Sequence, residues 1–364
     1  MNLNKLLKPR TIAIVGASEK AGFGGDTTRN YLKFSKNLDQ LYLVNPGRDT
    51  IFNRRAYHCL SEIEGDVDLV ILCTPQKTII PLLEEAAGKN CGGAVVFASG
   101  YGEVGPEGRE RQRELVEAAD RLGIAVMGPN CAGFANFVDG IFAFAFLVEE
   151  RERGGNIGMI SQSGQIVLGG LDSPNMGFSH VISSGNSCNV KVEDYLDFLV
   201  DDEDTKVVAA YMEGVTKPEK LVAAFQKAAL KKKPVVVLKT GRSAKSQELA
   251  KSHTGSLSGA DKVLRAVFKR YGVVEAGDLE ELMSLAAAFS WLEELPKGER
   301  CVFMNVSGGE AGVMADLSEE YGIQLAEMQQ ETKAYLKTLV PDYGSVNNPF
   351  DMTAGIGYNT PVMV

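Results

Sequence analysis

The chain has 364 residues, two to three domains' worth, and its composition, 45% hydrophobic and 23% charged, excludes fibrous and disordered classes. With 38 Lys and Arg against 47 Asp and Glu, the net charge of -9 repels a nucleic-acid backbone, so no nucleic-acid partner is expected. The longest apolar runs, such as IFAFAFLV at 141–148, fall short of the roughly 18 residues that a bilayer span needs, so no membrane partner is expected.

In chain order, the first ten residues, MNLNKLLKPR, lack the apolar core of a secretory signal, and the expected location is cytoplasmic. From residue 11 to about 130, short runs (TIAIVG, LYLVN, VDLVILC, GAVVFAS, IAVMG) alternate with helical patterns such as the stripes Ile79, Ile80, Leu82, Leu83, Ala86 and Leu115, Val116, Ala119. The strands are apolar throughout, as in a parallel sheet covered on both faces, so a Rossmann-like α/β domain is expected over residues 1–150. The charged stretch EERERGGN at 149–156 reads as a linker. After it NIGMIS, FSHVISS, KVVAAYME, PVVVLKT and GVVEA form a second doubly wound domain, flavodoxin-like, over 151–295. RCVFMNV at 300–306 and the helix pattern GVMADLSEEYG start a third over 296–364. With about five strands needed for such a domain, this one is expected to be incomplete, finished by a longer chain or by a partner.

The first strand runs into GASEKAGFGGDTTRN, a glycine-rich turn opening a helix, where backbone N–H groups and the helix dipole favour a phosphate. The alternative is a tight turn whose glycines serve packing alone. The glycines at 16, 22, 24 and 25 do not spell GxGxxG, and the second strand ends in Asn45-Pro46 without a carboxylate for a ribose hydroxyl, which argues against NAD. Other strands of this sheet end in CTPQ (73–76), SGYGE (99–103) and GPNCAG (128–133), the edge where ligands bind. Arg48 is either a phosphate donor or a solvated loop residue. In the second domain Ser161, Gln162, Ser163 and Gly164 sit at a helix start, and in the third Ser307, Gly308 and Gly309 repeat the device. Two such N-termini could grip one phosphate from opposite sides, although each alone is also a common α/β turn.

Of the three histidines, His253 lies in the polar loop SHTGSLSG (252–259). No second His or Cys stands at ligand spacing and no GxSxG elbow exists, so metal hydrolysis and a Ser-His triad lack support. What remains is His253 as a nucleophile toward phosphorus, with Glu213 at a strand end either holding its other ring nitrogen or standing as a plain charge. His58 and His180 read as structural, without polar constellations, and Lys231, Lys232 and Lys233 complement a helix dipole. The six cysteines, Cys59, Cys73, Cys91, Cys131, Cys188 and Cys301, show no CxxC pair; most read as reduced core thiols, and no metal site is expected.

Taken together and in this order, GASEKAGFGG, Asn45-Pro46, SGYGE, GPNCAG, SQSG and SHTGSLSG resemble the α portion of nucleoside-diphosphate-forming acyl-CoA synthetases, the succinyl-CoA synthetase superfamily. The resemblance covers essentially the whole chain and is closer to acetate-CoA ligase (ADP-forming) and its fused relatives. It implies a CoA-binding first domain, with contacts from Gly16, Ala17, Ser18, Gly24, Asn45, Pro46, Arg48, Thr74, Pro75, Ser99, Gly100, Glu103 and Asn130. It implies a transient phosphohistidine at His253, oriented by Glu213 and held by Ser163, Gly164, Gly255, Ser256, Gly308 and Gly309, with Gly185 and Asn186 at the pocket of a small carboxylic acid. Acetate, other short acids, branched acids and aryl acids are all compatible. ATP and magnesium would need an ATP-grasp domain, which these residues do not contain, so an ATP-grasp β subunit or fused domain and an oligomer are the implied partners. Relatives that keep the fold as CoA-sensing regulatory modules have lost the histidine. A non-catalytic CoA-binding module is therefore the alternative that retention of His253 disfavours.

Overall fold

The computed structural model describes residues 3–36, 38–148, 154–173, 176–241, 245, 261–294 and 296–355. They fall into two compact units, Met1–Leu292 and Glu293–Val364.

The first sheet of unit one holds β1 (Ile12–Val15), β2 (Leu41–Val44), β3 (Thr50–Ile51), β4 (Arg54–Tyr57), β5 (Leu69–Leu72), β6 (Gly93–Val96) and β7 (Ala125–Met127). Their order is β3-β4-β2-β1-β5-β6-β7. All neighbours are parallel except the β3–β4 hairpin, which sequence periodicity does not signal because only two and four residues form it. Every side chain of β1 and β5 is buried, as uninterrupted apolar runs require when helices cover both faces. The helices Phe23–Phe34, Ile79–Ala87 and Pro106–Leu122 supply that cover; Leu83, Leu115 and Ala119 turn inward from the last two. Each buried aliphatic side chain contributes about 1.5–3 kcal/mol.

The second sheet has the order β14-β13-β12-β10-β11-β8-β9. It comprises β8 (Gly133–Asn136), β9 (Ile141–Phe144), β10 (Gly154–Ser161), β11 (Phe178–Ser183), β12 (Val207–Met212), β13 (Val235–Lys239) and β14 (Val274–Ala276). Here the structure departs from the sequence reading. Residues 133–144, expected in the first domain, join the second sheet, with β8 pairing antiparallel to β11 and β9 to β8. All residues of both strands are buried, so periodicity carried no information about which sheet they enter. Gly154 to Asn156, read as linker, open β10. The change of sheet thus falls ahead of residue 150.

Unit two holds two pairs of two-residue strands, Arg300–Cys301 with Gln324–Leu325 and Met304–Asn305 with Phe350–Asp351, and helices Gly308–Glu320 and Gln330–Lys337. The single strand expected at 300–306 is divided, and Val302 and Met304 are 50% and 58% exposed. Among the described residues no helix is long and apolar enough to cross a membrane. All six cysteines are free. Burial pushes Cys73, Cys131 and Cys188 up to about 12 and Cys91 up to about 11, as for inert core thiols, whereas Cys301 is exposed.

His180, read as lacking polar neighbours, in fact lies in a buried network on β11. Lys8 Nζ reaches Asp202 Oδ1 at 2.7 Å, Thr205 donates to Asp202 Oδ2 at 2.7 Å, and His180 Nδ1 lies 3.6 Å from the same carboxylate. Asp202 pulls toward the imidazolium, but its charge is already committed to Lys8, and burial dominates, lowering the His180 pKa to about 4. His58 likewise sits between Asp49 and Glu62 at 3.3 and 3.4 Å, on the surface. Because an unfolded His180 titrates near 6.5, the unfolded chain takes up the proton first, and stability is lost as pH falls from 6.5 toward 4. The loss from this residue is on the order of 3 kcal/mol at the acid end. Urea titrations at neutral and acid pH should show His180→Leu losing correspondingly less than the wild type.

Candidate functional site

Strand order fixes where the candidate residues meet. β1 leads to β2 on one side and β5 to β6 on the other, so their loops diverge and leave a crevice at the carboxyl ends of the strands, the switch point of a doubly wound sheet. Gly16, Ala17, Ser18 and Gly24 stand on one side of it, Thr74 and Pro75 on the other. The turn is close-packed: a Cβ on Gly24 would run into the Gly16 carbonyl, so only glycine lets the helix start approach the strand end. Ser18 Oγ accepts the Lys20 N–H at 3.0 Å. The helix beginning at Phe23 has no side-chain cap, but Asp26 in its first turn accepts the Gly22 N–H at 3.3 Å and pairs with Arg29, so the N-terminus is partly neutralised from within.

Asn45 does not present a free side chain to this crevice. Its Nδ2 donates to the Ala17 carbonyl at 2.8 Å and its Oδ1 accepts the Gly47 N–H at 2.9 Å, tying the end of β2 to the glycine turn. Pro46 and Arg48 follow in the exposed part of that turn. Thr74 Oγ1 accepts from Thr78 Oγ1 at 2.9 Å.

A second group gathers where β6 and β7 end. Glu103 Oε1 accepts the N–H groups of Gly100 and Tyr101 at 2.6 and 3.2 Å, and its Oε2 accepts from Asn186 Nδ2 at 2.6 Å. Burial would raise the Glu103 pKa, but the Asn186 and backbone hydrogen bonds outweigh it and hold the carboxyl below its ordinary value. Asn130, exposed and left-handed at φ 56°, donates from Nδ2 to Asn186 Oδ1 at 3.3 Å. Gly185 is also left-handed (φ 54°), and a Cβ there would lie 2.5 Å from the Pro129 and Asn130 carbonyls. The expected CoA residues Gly100, Glu103 and Asn130 are therefore in one cluster with the expected substrate residues Gly185 and Asn186, and exposed Ser99 adjoins it. The cluster also contains Gln112, whose Oε1 accepts from Gly102 N–H and Asn186 Nδ2 at 3.2 and 3.1 Å. Nothing in the sequence distinguishes Gln112 from the polar residues around it on the helix Pro106–Leu122.

The second sheet repeats the arrangement. β10 leads to β11 and β12 to β13 on opposite sides, so Ser161 to Gly164 and Glu213 face one switch point. Ser163 precedes the helix Gly164–Leu171 in an extended conformation and its side chain makes no capping bond, leaving first-turn N–H groups for an anion or water. Gln162 Oε1 accepts the N–H groups of Glu213 and Gly214 at 2.6 and 3.1 Å, and Tyr211 Oη donates to Glu213 Oε1 at 3.4 Å. Lys239 Nζ donates to the Glu213 carbonyl at 2.8 Å. In unit two, taken by itself, Ser307 precedes the uncapped helix start at Gly308 and Gly309, and a Cβ on Gly308 would lie 3.0 Å from Asp351 Oδ2. His253, Gly255 and Ser256 lie outside the described residues. Among the described residues no three His, Cys, Asp or Glu side chains gather so as to hold a metal ion. Replacing Gln162 with Leu leaves two backbone donors without their acceptor, so urea denaturation of Gln162→Leu should report a loss of about 1–3 kcal/mol.

A family model described as a CoA binding domain matches residues 10–136, and one described as a succinyl-CoA ligase like flavodoxin domain matches residues 154–289. The α subunit of acetate–CoA ligase (ADP-forming) II from Pyrococcus furiosus is 35% identical over 356 residues, 97% of this chain and 76% of the relative. A trans-feruloyl-CoA synthase from an unknown prokaryotic organism is 33% identical over 365 residues, 99% of this chain and 51% of the relative. This chain thus spans about three quarters of the first relative and about half of the second. The solved structure of Ca. Korarchaeum cryptofilum dinucleotide forming acetyl-coenzyme A synthetase 1, in complex with phosphate and ADP, is similar at a TM-score of 0.86 and 30% identity, covering 97% of this chain and 76% of that one. With both family models matched in the expected order and 35% identity to an α subunit over 97% of this chain, the chain belongs to the ADP-forming acyl-CoA ligase family.

Proposed function

We propose that this chain is the CoA-binding, phosphohistidine-carrying part of an ADP-forming acid–CoA ligase, acting reversibly on a small carboxylic acid. In the forward direction an imidazole nitrogen of His253 attacks the γ-phosphorus of ATP and ADP departs. An oxygen of the carboxylate then attacks the phosphohistidine phosphorus, the imidazole leaves, and an acyl phosphate results. The CoA sulfur, as thiolate, attacks the carbonyl carbon and phosphate leaves. ATP and magnesium would be held by an ATP-grasp β subunit or fused domain.

This chain's own groups have distinct tasks. The glycine turn at Gly16 to Gly24 and the loops at Asn45–Arg48, Thr74–Pro75 and Ser99–Glu103 hold CoA. Glu213 accepts the second ring N–H of His253, fixing the tautomer whose free nitrogen is the nucleophile. The N–H groups at Ser163–Gly164 stabilise the transferring phosphate. The reading is carried by one observation: Glu213, braced by Gln162 and Tyr211, stands at a switch point beside an uncapped helix start. β13, the strand next to its own, leads in sequence toward residue 253.

The half-reaction that needs no nucleotide tests it. The protein is incubated with radiolabelled phosphate and a panel of acyl-CoAs, beside His253→Ala. Acid-labile, base-stable label that forms with at least one acyl-CoA and is absent from the variant is expected, and it names the acid. Label that persists in His253→Ala contradicts the phosphohistidine, and no label from a chain that binds CoA leaves either a CoA-binding regulatory module or a site that closes only once the ATP-grasp part is restored, which repeating the assay with that part added decides.

A further inference from the structure

The hydrogen-bond cluster at the ends of β6 and β7 assigns its members unequal roles. A backbone N–H can only donate, so the Gln112 atom that meets Gly102 N–H at 3.2 Å is its oxygen. A carboxylate can only accept, so the Asn186 atom that meets Glu103 at 2.6 Å is its nitrogen. Asn186 Nδ2 has two hydrogens, and Glu103 and Gln112 take both, at 2.6 and 3.1 Å. Its Oδ1 is turned to Asn130, whose Nδ2 donates to it at 3.3 Å. Asn186 therefore has no N–H left for a substrate, while Asn130 keeps a second N–H and its carbonyl on an exposed, left-handed residue.

We propose that Gln112 is a positioning residue for the CoA site: it and Glu103 hold Asn186 in one orientation, and Asn186 in turn sets the Asn130 amide that meets the thioester end of CoA. This rests on the CoA reading given above. Asn186 is then a brace between loops rather than a pocket residue, and specificity for the acid is set elsewhere. The chemistry depends only on the acceptor oxygen of Gln112, which gives a sharp test. Gln112→Met keeps the length of the side chain and removes the acceptor. Gln112→Glu keeps the acceptor but sets a second carboxylate beside Glu103.

Calorimetric titration of the full chain with CoA at pH 6 and pH 8, beside melting curves for each protein, separates the cases. Gln112→Met, which loses both hydrogen bonds that the Gln112 oxygen accepts, is expected to weaken CoA binding about tenfold at both pH values. Gln112→Glu is expected to bind CoA more weakly than wild type at pH 8 and to recover toward wild type as falling pH protonates one of the two neighbouring carboxylates. Asn186→Ala, which removes the middle of the brace without touching the helix, is expected to lose at least as much as Gln112→Met. If wild type binds CoA and Gln112→Met binds it equally well, or both Gln112 variants lose affinity equally at both pH values, the positioning role is overturned. If wild type does not bind CoA, the CoA reading of the site falls, and this proposal with it.

Discussion

The antiparallel ladder between β8 and β11 is the contact on which the candidate site depends. The chain leaves the first sheet at β7 and, after five residues, is hydrogen-bonded into the second, with Gly133 opposite Ser183 and Asn136 opposite His180. That pairing lays residues 184–190 along the turn that follows β7. Asn186 N–H donates to the Pro129 carbonyl at 2.9 Å, Cys188 N–H to Gly128 at 3.1 Å, and Ala132 N–H to Ser183 Oγ at 3.0 Å. Loops from two sheets are thus closed against each other by backbone bonds, with little freedom left for either to drift. Glycine at 185 is a consequence, because the carbonyls of Pro129 and Asn130 occupy the space a side chain would need.

On the proposed function, a chain of net charge -9 has to create positive potential locally to receive phosphates. Among the described residues the groups placed to do so are backbone N–H groups at helix starts. The helix starts at Phe23, Gly164 and Gly308 each lack a side-chain cap. Buried Lys239 is spent on the Glu213 and Thr240 carbonyls, where it braces a strand end instead of meeting solvent. Fixed dipoles of this kind need no reorganisation as charge moves from one oxygen to another, which suits the phosphoryl and acyl transfers proposed above.

Much of this was legible in the residues. Uninterrupted runs such as IAIV, LVIL and VVVLK can only be strands covered on both faces, and the turns after them concentrate Gly, Ser, Asn and Pro at one edge of each sheet. The ordered set of loops carried the family. Three things were not legible. The sheet to which GFAN and IFAF belong depends on long-range pairing, and strands buried throughout look alike in either sheet. The use of Asn45 and Asn186 as internal braces depends on partners 28 and 83 residues away. Gln112 sits on a helix face where Arg, Glu and Gln are all at home, so its two hydrogen bonds leave no trace in composition.

On the proposed function, one continuous edge of unit one, from the Gly16 turn through the Glu103–Asn186 cluster, receives CoA. Hydrogen–deuterium exchange of the chain with and without saturating CoA measures this directly, amide by amide. Exchange should slow in the segments around residues 16–24, 99–103, 128–133 and 184–188, with the opposite ends of the same strands unchanged. Saturable CoA binding that leaves those segments unprotected, or that protects the amino ends of the strands instead, would contradict it.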